Sequence, residues 1–138
     1  MIKKVLISFC IFILYTTNAM AQTNHRIQII DIKKGEVIKS VQKNPDLQQE
    51  VAKFLEGITG VYVKLNPYPN NGFVIKTPLE PNIMVKNQWF NDLVDEVIII
   101  FSVQEKPYLL VFDNENQPHF YKFQGNTNKF LGLLNFKP

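Results

Sequence analysis

Cysteine is almost missing from this sequence: Cys10 is the only one among 138 residues, and it lies in an apolar run near the N-terminus. A single cysteine cannot form a disulfide within the chain, so packing has to stabilise the fold. A lipid anchor is also disfavoured, because a lipoprotein needs its cysteine at the cleavage site of the signal, and Cys10 lies inside the apolar run instead.

A large excess of one charge is missing as well. The chain carries 15 basic and 12 acidic residues, and Lys3 and Lys4 account for two of the basic ones, which leaves 13 for the rest of the chain. A nearly neutral domain lacks the basic surface that nucleic-acid binding requires, so we expect no nucleic-acid partner. Repeats, low-complexity tracts and long linkers are missing too, which indicates one domain.

The N-terminal 21 residues have the three parts of a secretory signal peptide. Two lysines precede the apolar run from Val5 to Tyr15, and Ala19-Met20-Ala21 offers the small side chains that a signal peptidase binds. The apolar run is 11 residues long, whereas a membrane-spanning helix needs about 20. The sequence therefore favours a cleaved signal over a retained membrane anchor.

Cleavage near Ala21-Gln22 would leave residues 22–138 as a single globular domain. We expect this domain to be secreted or extracytoplasmic and to keep no stable membrane anchor. Cleavage also removes Cys10, so the remaining domain has no thiolate for catalysis or for metal binding.

The strongest helix signal begins at Asn44. This residue is a suitable N-cap, Pro45 suits the first helical position, and Asp46 opposes the positive end of the helix dipole. Apolar residues follow at three- and four-residue spacing, which places them on one face: Leu47, Val51, Phe54, Leu55 and Ile58. The pattern predicts the main helix from residue 45 to about residue 58.

Most of the remaining chain has the character of strands separated by turns. The pattern predicts a hairpin over residues 27–32 and 37–41, a strand or last irregular turn at 61–65, strands at 73–77 and 83–85, a buried central strand at 93–103, further strands at 108–112 and 119–123, and a short C-terminal helix from Thr127 to Leu134. We therefore predict an α+β fold: one main helix packed on an antiparallel sheet of about five strands, with a short C-terminal helix. Cystatin-like folds share this general layout, but no motif identifies a family.

Two loops supply the candidate ligand-binding residues. Tyr68, Asn70 and Asn71 lie in the segment 66–72, where two prolines and an Asn-Gly pair predict a loop. Trp89 lies in a second predicted turn. Because aromatic residues in such breaks offer contact area, we expect Tyr68 and Trp89 to be partly exposed.

The candidates for acid–base chemistry are Asp92, Asp95, Asp113 and His119. No Gly-x-Ser-x-Gly motif is present to supply a nucleophile, and His119 has no cysteine or second histidine at the spacing of zinc ligands. The segment 113–117 has oxygen ligands at alternate positions, but it lacks the glycine and glutamate of a calcium loop and is more typical of a hairpin loop. We expect no metal and no cofactor.

Three functional hypotheses remain open. The leading one is a non-enzymatic binding module that acts outside the cytoplasmic membrane on a protein or a cell-envelope component, because the chain combines an export signal with few catalytic residues. The second is a secreted hydrolase that uses carboxylates. The third is an exported protease inhibitor, although the inhibitory loops of cystatins are not visible in this sequence.

Overall fold

The computed structural model describes residues 26–64 and 67–138. The predicted signal peptide, with Cys10 and the cleavage site, lies outside these described residues. Seven strands are present: β1 (Ile27–Asp31), β2 (Glu36–Val41), β3 (Ile58–Val61), β4 (Gly72–Lys86), β5 (Asn91–Ser102), β6 (Tyr108–Phe112) and β7 (Pro118–Phe123). Two helices accompany them: α1 (Pro45–Glu56) and α2 (Asn128–Leu133).

The strands form one antiparallel sheet in the order β2-β1-β4-β5-β6-β7-β3. Most neighbours in this order are joined by short connections, which suits antiparallel pairing. The long strands β4 and β5 form the centre, where Val74 pairs with Ile100 and Ile75 with Ile99. The two edges of the sheet are the short strands β2 and β3.

The predicted fold class is wrong, because the described chain is mostly sheet. Seven strands rather than about five make up the sheet, and helices account for 16% of the structure, with α1 the only one of seven or more residues in the described ranges. The strand that the prediction left open is β3. It covers Ile58–Val61, whereas the prediction continued the helix to about residue 58 and placed a strand or a last irregular turn at 61–65.

The prediction also broke β4 into two pieces at Pro78 and Pro81, whereas the strand runs through both prolines. Pairing of β1 with β4 ends at Lys76, so beyond that residue one side of β4 has no ladder that a proline could interrupt. The side-chain amide of Gln48 on α1 bonds the backbone there instead, donating to the Pro78 carbonyl oxygen and accepting from the Glu80 N–H, both at 2.9 Å.

Helix α1 begins as predicted. The Asn44 side chain accepts from the Leu47 N–H at 2.9 Å, and Pro45 occupies the first turn. The apolar face of α1 is buried against the sheet with the neighbouring helix α2, whose Phe130 meets Phe54 edge to face. No helix in the described ranges has the length and apolar character needed to cross a membrane.

Apolar residues cover both faces of the sheet. The larger cluster lies on the side of α1 and α2. The smaller cluster is on the opposite side and contains no helical residue; its members are Ile30, Val74, Ile98, Ile100, Tyr108 and Leu110. Residues that follow β3 pack against this second side: Tyr62 stacks on Tyr108 with ring centroids 3.9 Å apart, and Tyr108 donates to the Pro67 carbonyl oxygen at 2.6 Å.

Candidate functional site

A cleft opens at the β3 edge of the sheet, where β7 continues past the end of β3. Its volume is about 360 Å³, and its walls include Val61, Tyr62, Lys64, Trp89, His119 and Tyr121. The pairing of Val61 with Tyr121 fixes β3 to β7 at the base of this cleft. The cleft therefore joins an edge strand, a neighbouring strand and the turn between β4 and β5.

Trp89 is held over the cleft by hydrogen bonds on both sides of it. In the turn between β4 and β5, the Asn87 side-chain oxygen accepts from the N–H groups of Trp89 and Phe90 at 2.8 and 2.9 Å. From β7, the Tyr121 hydroxyl donates to the Trp89 carbonyl oxygen at 3.1 Å. Trp89 is half-buried, which agrees with the predicted partial exposure.

The structure brings two of the predicted acid–base residues together beside this cleft. His119 Nε2 lies 2.8 Å from Asp113 Oδ2. The other carboxylate oxygen of Asp113 accepts from the N–H groups of Glu115 and Gln117 at 2.8 and 2.9 Å, which orders the hairpin loop between β6 and β7. The hydrogen bond from His119, followed by the bond from the Gln117 backbone, lowers the pKa of the Asp113 carboxyl.

The imidazole of His119 is also held by its neighbours. Its ring lies edge to face with Phe90 at 5.3 Å and parallel to Tyr121 at 6.2 Å. With Nε2 directed at the carboxylate of Asp113, the Nδ1 atom is the ring nitrogen left for a ligand. The arrangement can therefore accept or transfer one proton, or accept one hydrogen bond, at the wall of the cleft.

The other two acidic candidates do not join this pair at the cleft. Asp92 uses its carboxylate for backbone N–H groups, those of Leu93 at 2.9 Å and Asn114 at 3.0 Å, so it supports the loop that carries Asp113. Asp95 is exposed on β5. Of the four candidates, Asp113 and His119 thus form a contacting pair, Asp92 supports the loop beside them, and Asp95 lies on the surface.

The predicted ligand-binding residues of the loop before β4, Tyr68, Asn70 and Asn71, do not line the cleft, although Pro67 of the same loop does. Asn70 and Asn71 are exposed, and the Asn71 side chain accepts from the Gly72 N–H at 2.8 Å. Tyr68 is 6% exposed and meets Phe120 edge to face at 5.1 Å, so the prediction that it is partly exposed is wrong. A tyrosine between two prolines can still face inward, because its ring completes the second apolar side of the sheet.

Sequence reasoning missed a group of three residues that fixes the end of β3. The Glu105 carboxylate accepts from the Tyr62 hydroxyl at 2.5 Å and pairs with the Lys64 ammonium at 2.5 Å. Burial, and then the hydrogen bond to Glu105, raises the pKa of Tyr62 to about 12. Tyr62 and Glu105 are 43 residues apart, so no local pattern could have paired them.

The described residues supply few further groups for catalysis. Neither serine within 26–64 and 67–138 lies at the cleft: Ser40 is bonded to Arg26 on the other edge, and the Ser102 hydroxyl accepts from the Gln104 N–H. In the same ranges, no three His, Asp or Glu side chains converge as ligands of a metal ion. No protein-family model matches the chain, and no curated protein or solved structure is significantly similar to it.

Proposed function

We propose that this protein is a non-enzymatic binding module that acts outside the cytoplasmic membrane and takes its ligand in the cleft between β3 and β7. The observation that carries the proposal is the wall formed by the half-buried Trp89 and His119, backed by the buried ring of Tyr121, beside an open sheet edge. Aromatic side chains of this kind give a large contact area at a small entropic cost. The proposed location outside the membrane rests on the signal peptide that the sequence predicts over residues 1–21.

The polar groups around the cleft support binding rather than turnover. Asp113 and Glu105 both use their carboxylates to organise the protein itself, the first in a hairpin loop and the second at the end of β3. Trp89 and Tyr121 are held by backbone and hydroxyl hydrogen bonds. Such preorganised side chains lose little freedom when a ligand binds, which favours affinity.

Trp89 is the only tryptophan of the chain, so its fluorescence reports directly on the cleft. The experiment uses the full chain, purified after expression with its own N-terminus, whose final form is identified by mass spectrometry. Peptide pools, soluble envelope glycans and lipid vesicles are titrated separately. We expect one of these classes to change the Trp89 emission in a saturable way and to protect it from acrylamide quenching.

The matched control is Ile38→Ala, a change of an exposed side chain on the opposite edge, which should leave this titration unchanged. If none of the ligand classes alters the emission while acrylamide still reaches Trp89, the proposal is wrong.

One observation favours a second candidate, an acid–base hydrolase: the contact between His119 and Asp113 at the wall of the cleft. In such an enzyme, Nδ1 of His119 would activate water while Asp113 orients the ring. The test is a panel of chromogenic ester, glycoside and peptide substrates. An activity that both His119→Gln and Asp113→Asn abolish would support this candidate, and an activity that survives both changes would exclude it.

A further inference from the structure

The outer edge of β3 has backbone groups that are free to pair with another strand. In the described chain, β7 is the only strand that pairs with β3. The pairing extends to Tyr62, whose N–H donates to the Phe120 carbonyl oxygen at 2.9 Å. Because successive residues of an extended segment direct their backbone groups to opposite edges, the groups of Val61, the last residue of β3, point away from the sheet, and those of Val63 continue this alternation past Tyr62.

Between Ile58 and Val63 this edge carries no charged residue and no proline, and the charged residue that follows, Lys64, is paired with Glu105. Strand β3 has the sequence Ile58-Thr59-Gly60-Val61, without a charged residue or a proline. Val61 is 45% exposed and Val63 is 87% exposed. Natural edge strands are usually protected by charges, prolines or bulges, and the irregular register of β3 lies at its other end, between Ile58 and Gly60.

The cleft lies directly beside this open edge. Val61 belongs to its wall, and Tyr121, the pairing partner of Val61, belongs to the same wall. A strand placed along Val61 and Val63 would project alternate side chains to the same side as these valines. One of those side chains would therefore enter the cleft against Trp89 and His119.

We propose that the ligand of this protein is an extended peptide segment of a partner protein, which pairs with Val61 and Val63 as an eighth strand and inserts one large apolar side chain into the cleft. This inference rests on the proposed function and names its ligand class. Main-chain hydrogen bonds supply affinity in this mode, and the pocket for an alternate side chain supplies specificity.

A second copy of this chain fits the edge less well. Two β3 strands paired with each other would offer Val61 and Val63 as their exposed apolar side chains, and neither is large enough to fill a cleft of about 360 Å³. Strands of four residues also bury little surface, whereas a stable interface needs about 1,200 to 2,000 Å². A peptide with a larger apolar residue satisfies both the edge and the cleft.

The test begins with selection of a phage-displayed random-peptide library on the purified full chain. We expect the enriched peptides to share one large apolar residue among β-branched neighbours and to lack proline. Synthetic copies should bind about tenfold more weakly to Val63→Lys than to the unchanged protein, since a charge then blocks the edge. The matched control is Val37→Lys on β2, which should bind normally.

Methylation of the peptide backbone nitrogens identifies strand pairing specifically. Methylating one alternate set of nitrogens should weaken binding about tenfold, while methylating the other set should have little effect, because only one set faces β3. Failure to enrich any peptide overturns the inference. Peptides that bind Val63→Lys and both methylated forms equally well also overturn it, but they leave the proposed binding function standing.

Two other outcomes separate the remaining explanations. If light scattering finds a dimer of the unchanged protein that Val63→Lys dissociates, the occupant of the edge is a second copy and the inference is wrong. If glycans or vesicles alter the Trp89 emission and peptides do not, the proposed function survives and the inferred ligand class does not. If peptides, glycans and vesicles all leave the Trp89 emission unchanged, the proposed function itself fails.

Discussion

The two edges of the sheet differ in how their strands are protected. On β2, the Arg26 guanidinium donates to the Ser40 hydroxyl and carbonyl oxygens at 2.8 and 3.1 Å, and the Lys39 ammonium donates to the Asn135 carbonyl oxygen at 2.7 Å. Ile38 is a bulged residue, since Lys39 pairs with Ile29 and Val37 with Ile30. At β3 the charged contact lies beyond the strand, where Lys64 pairs with Glu105, and Ile58–Val61 itself carries no charged side chain.

Exposure of apolar residues does not by itself mark a binding edge. Val37 and Ile38 on β2 are 38% and 41% exposed, close to the 45% of Val61 on β3. The difference lies in the position of the bulge, which interrupts the middle of β2 but only the start of β3, and in the charged side chains around β2, which hinder a further strand. An edge with exposed valines, regular outward backbone groups and a cleft beside it is the better candidate.

The largest effect on stability that we expect comes from truncating Tyr121, the β7 residue that pairs with Val61 of β3 and is 1% exposed. Tyr121→Ala should lower the free energy of unfolding by about 3 to 5 kcal/mol, because it leaves a cavity in the larger apolar cluster. Tyr121→Phe is the control and should cost only about 1 kcal/mol, since it loses just the hydrogen bond to Trp89. Urea unfolding measures both, and equal losses would contradict this account of the cleft wall.

Removing the Arg26 side chain, which covers the β2 edge, should have a smaller effect on stability. Arg26→Ala deletes the hydrogen bonds to Ser40, so we expect a loss of about 1 kcal/mol in unfolding free energy. The uncovered β2 edge should also raise self-association in sedimentation experiments. Lys33→Ala, in the exposed turn before β2, is the control. Association no greater than in this control would mean that Arg26 does not protect the edge.

The anchor at the end of β3 can be tested through the ionisation of Tyr62. Glu105→Gln removes a negative charge and an acceptor, so the pKa of Tyr62 should fall from about 12 toward its ordinary value of 10.0. The fall should be partial, because burial is the larger cause of the shift. Phenolate absorbance, assigned with Tyr62→Phe, measures it. The control is Glu115→Gln, which should leave the titration of Tyr62 unchanged. An unchanged titration in Glu105→Gln would show that Glu105 does not hold Tyr62.

The smallest effect concerns Asp113, which lies beside the cleft. Its folded pKa is lowered, so the stability that it contributes is complete above the unfolded pKa of about 3.9 and is lost as the pH falls through the lower folded value. The stability advantage of the unchanged protein over Asp113→Asn should therefore shrink below about pH 4. An advantage that stays constant in acid would argue against the contact with His119.

Local signals in the sequence predicted local structure well. The cap at Asn44 and the proline after it located the start of α1, and the hairpin between β6 and β7 placed Asp113 near His119, six residues away. The sequence names both residues only as acid–base side chains, and the predicted turn between their strands accounts for the contact that the structure shows.

Contacts between distant segments explain what the sequence analysis missed. Strand β3 contains a glycine and no alternation of apolar and polar residues, and its partner β7 is about 60 residues away, so pairing alone makes it a strand. A contact with a distant segment also fixes the end of α1. A Cβ atom at Gly57 would lie 2.3 Å from the Gln124 carbonyl oxygen, so only glycine permits the close approach of these two backbone segments. The pairing of β3 with β7 thus adds a strand that the prediction left open.

The most direct test of the central claim compares amide hydrogen exchange at the two edges, by NMR, with and without a selected peptide. We predict that the peptide slows exchange of the Val61 and Val63 N–H groups by about tenfold or more, because they become hydrogen-bonded, and leaves Val37 and Ile38 unchanged. Unchanged exchange at Val61 and Val63 in the saturated complex, or equal slowing at both edges, would contradict the claim that β3 is the binding edge.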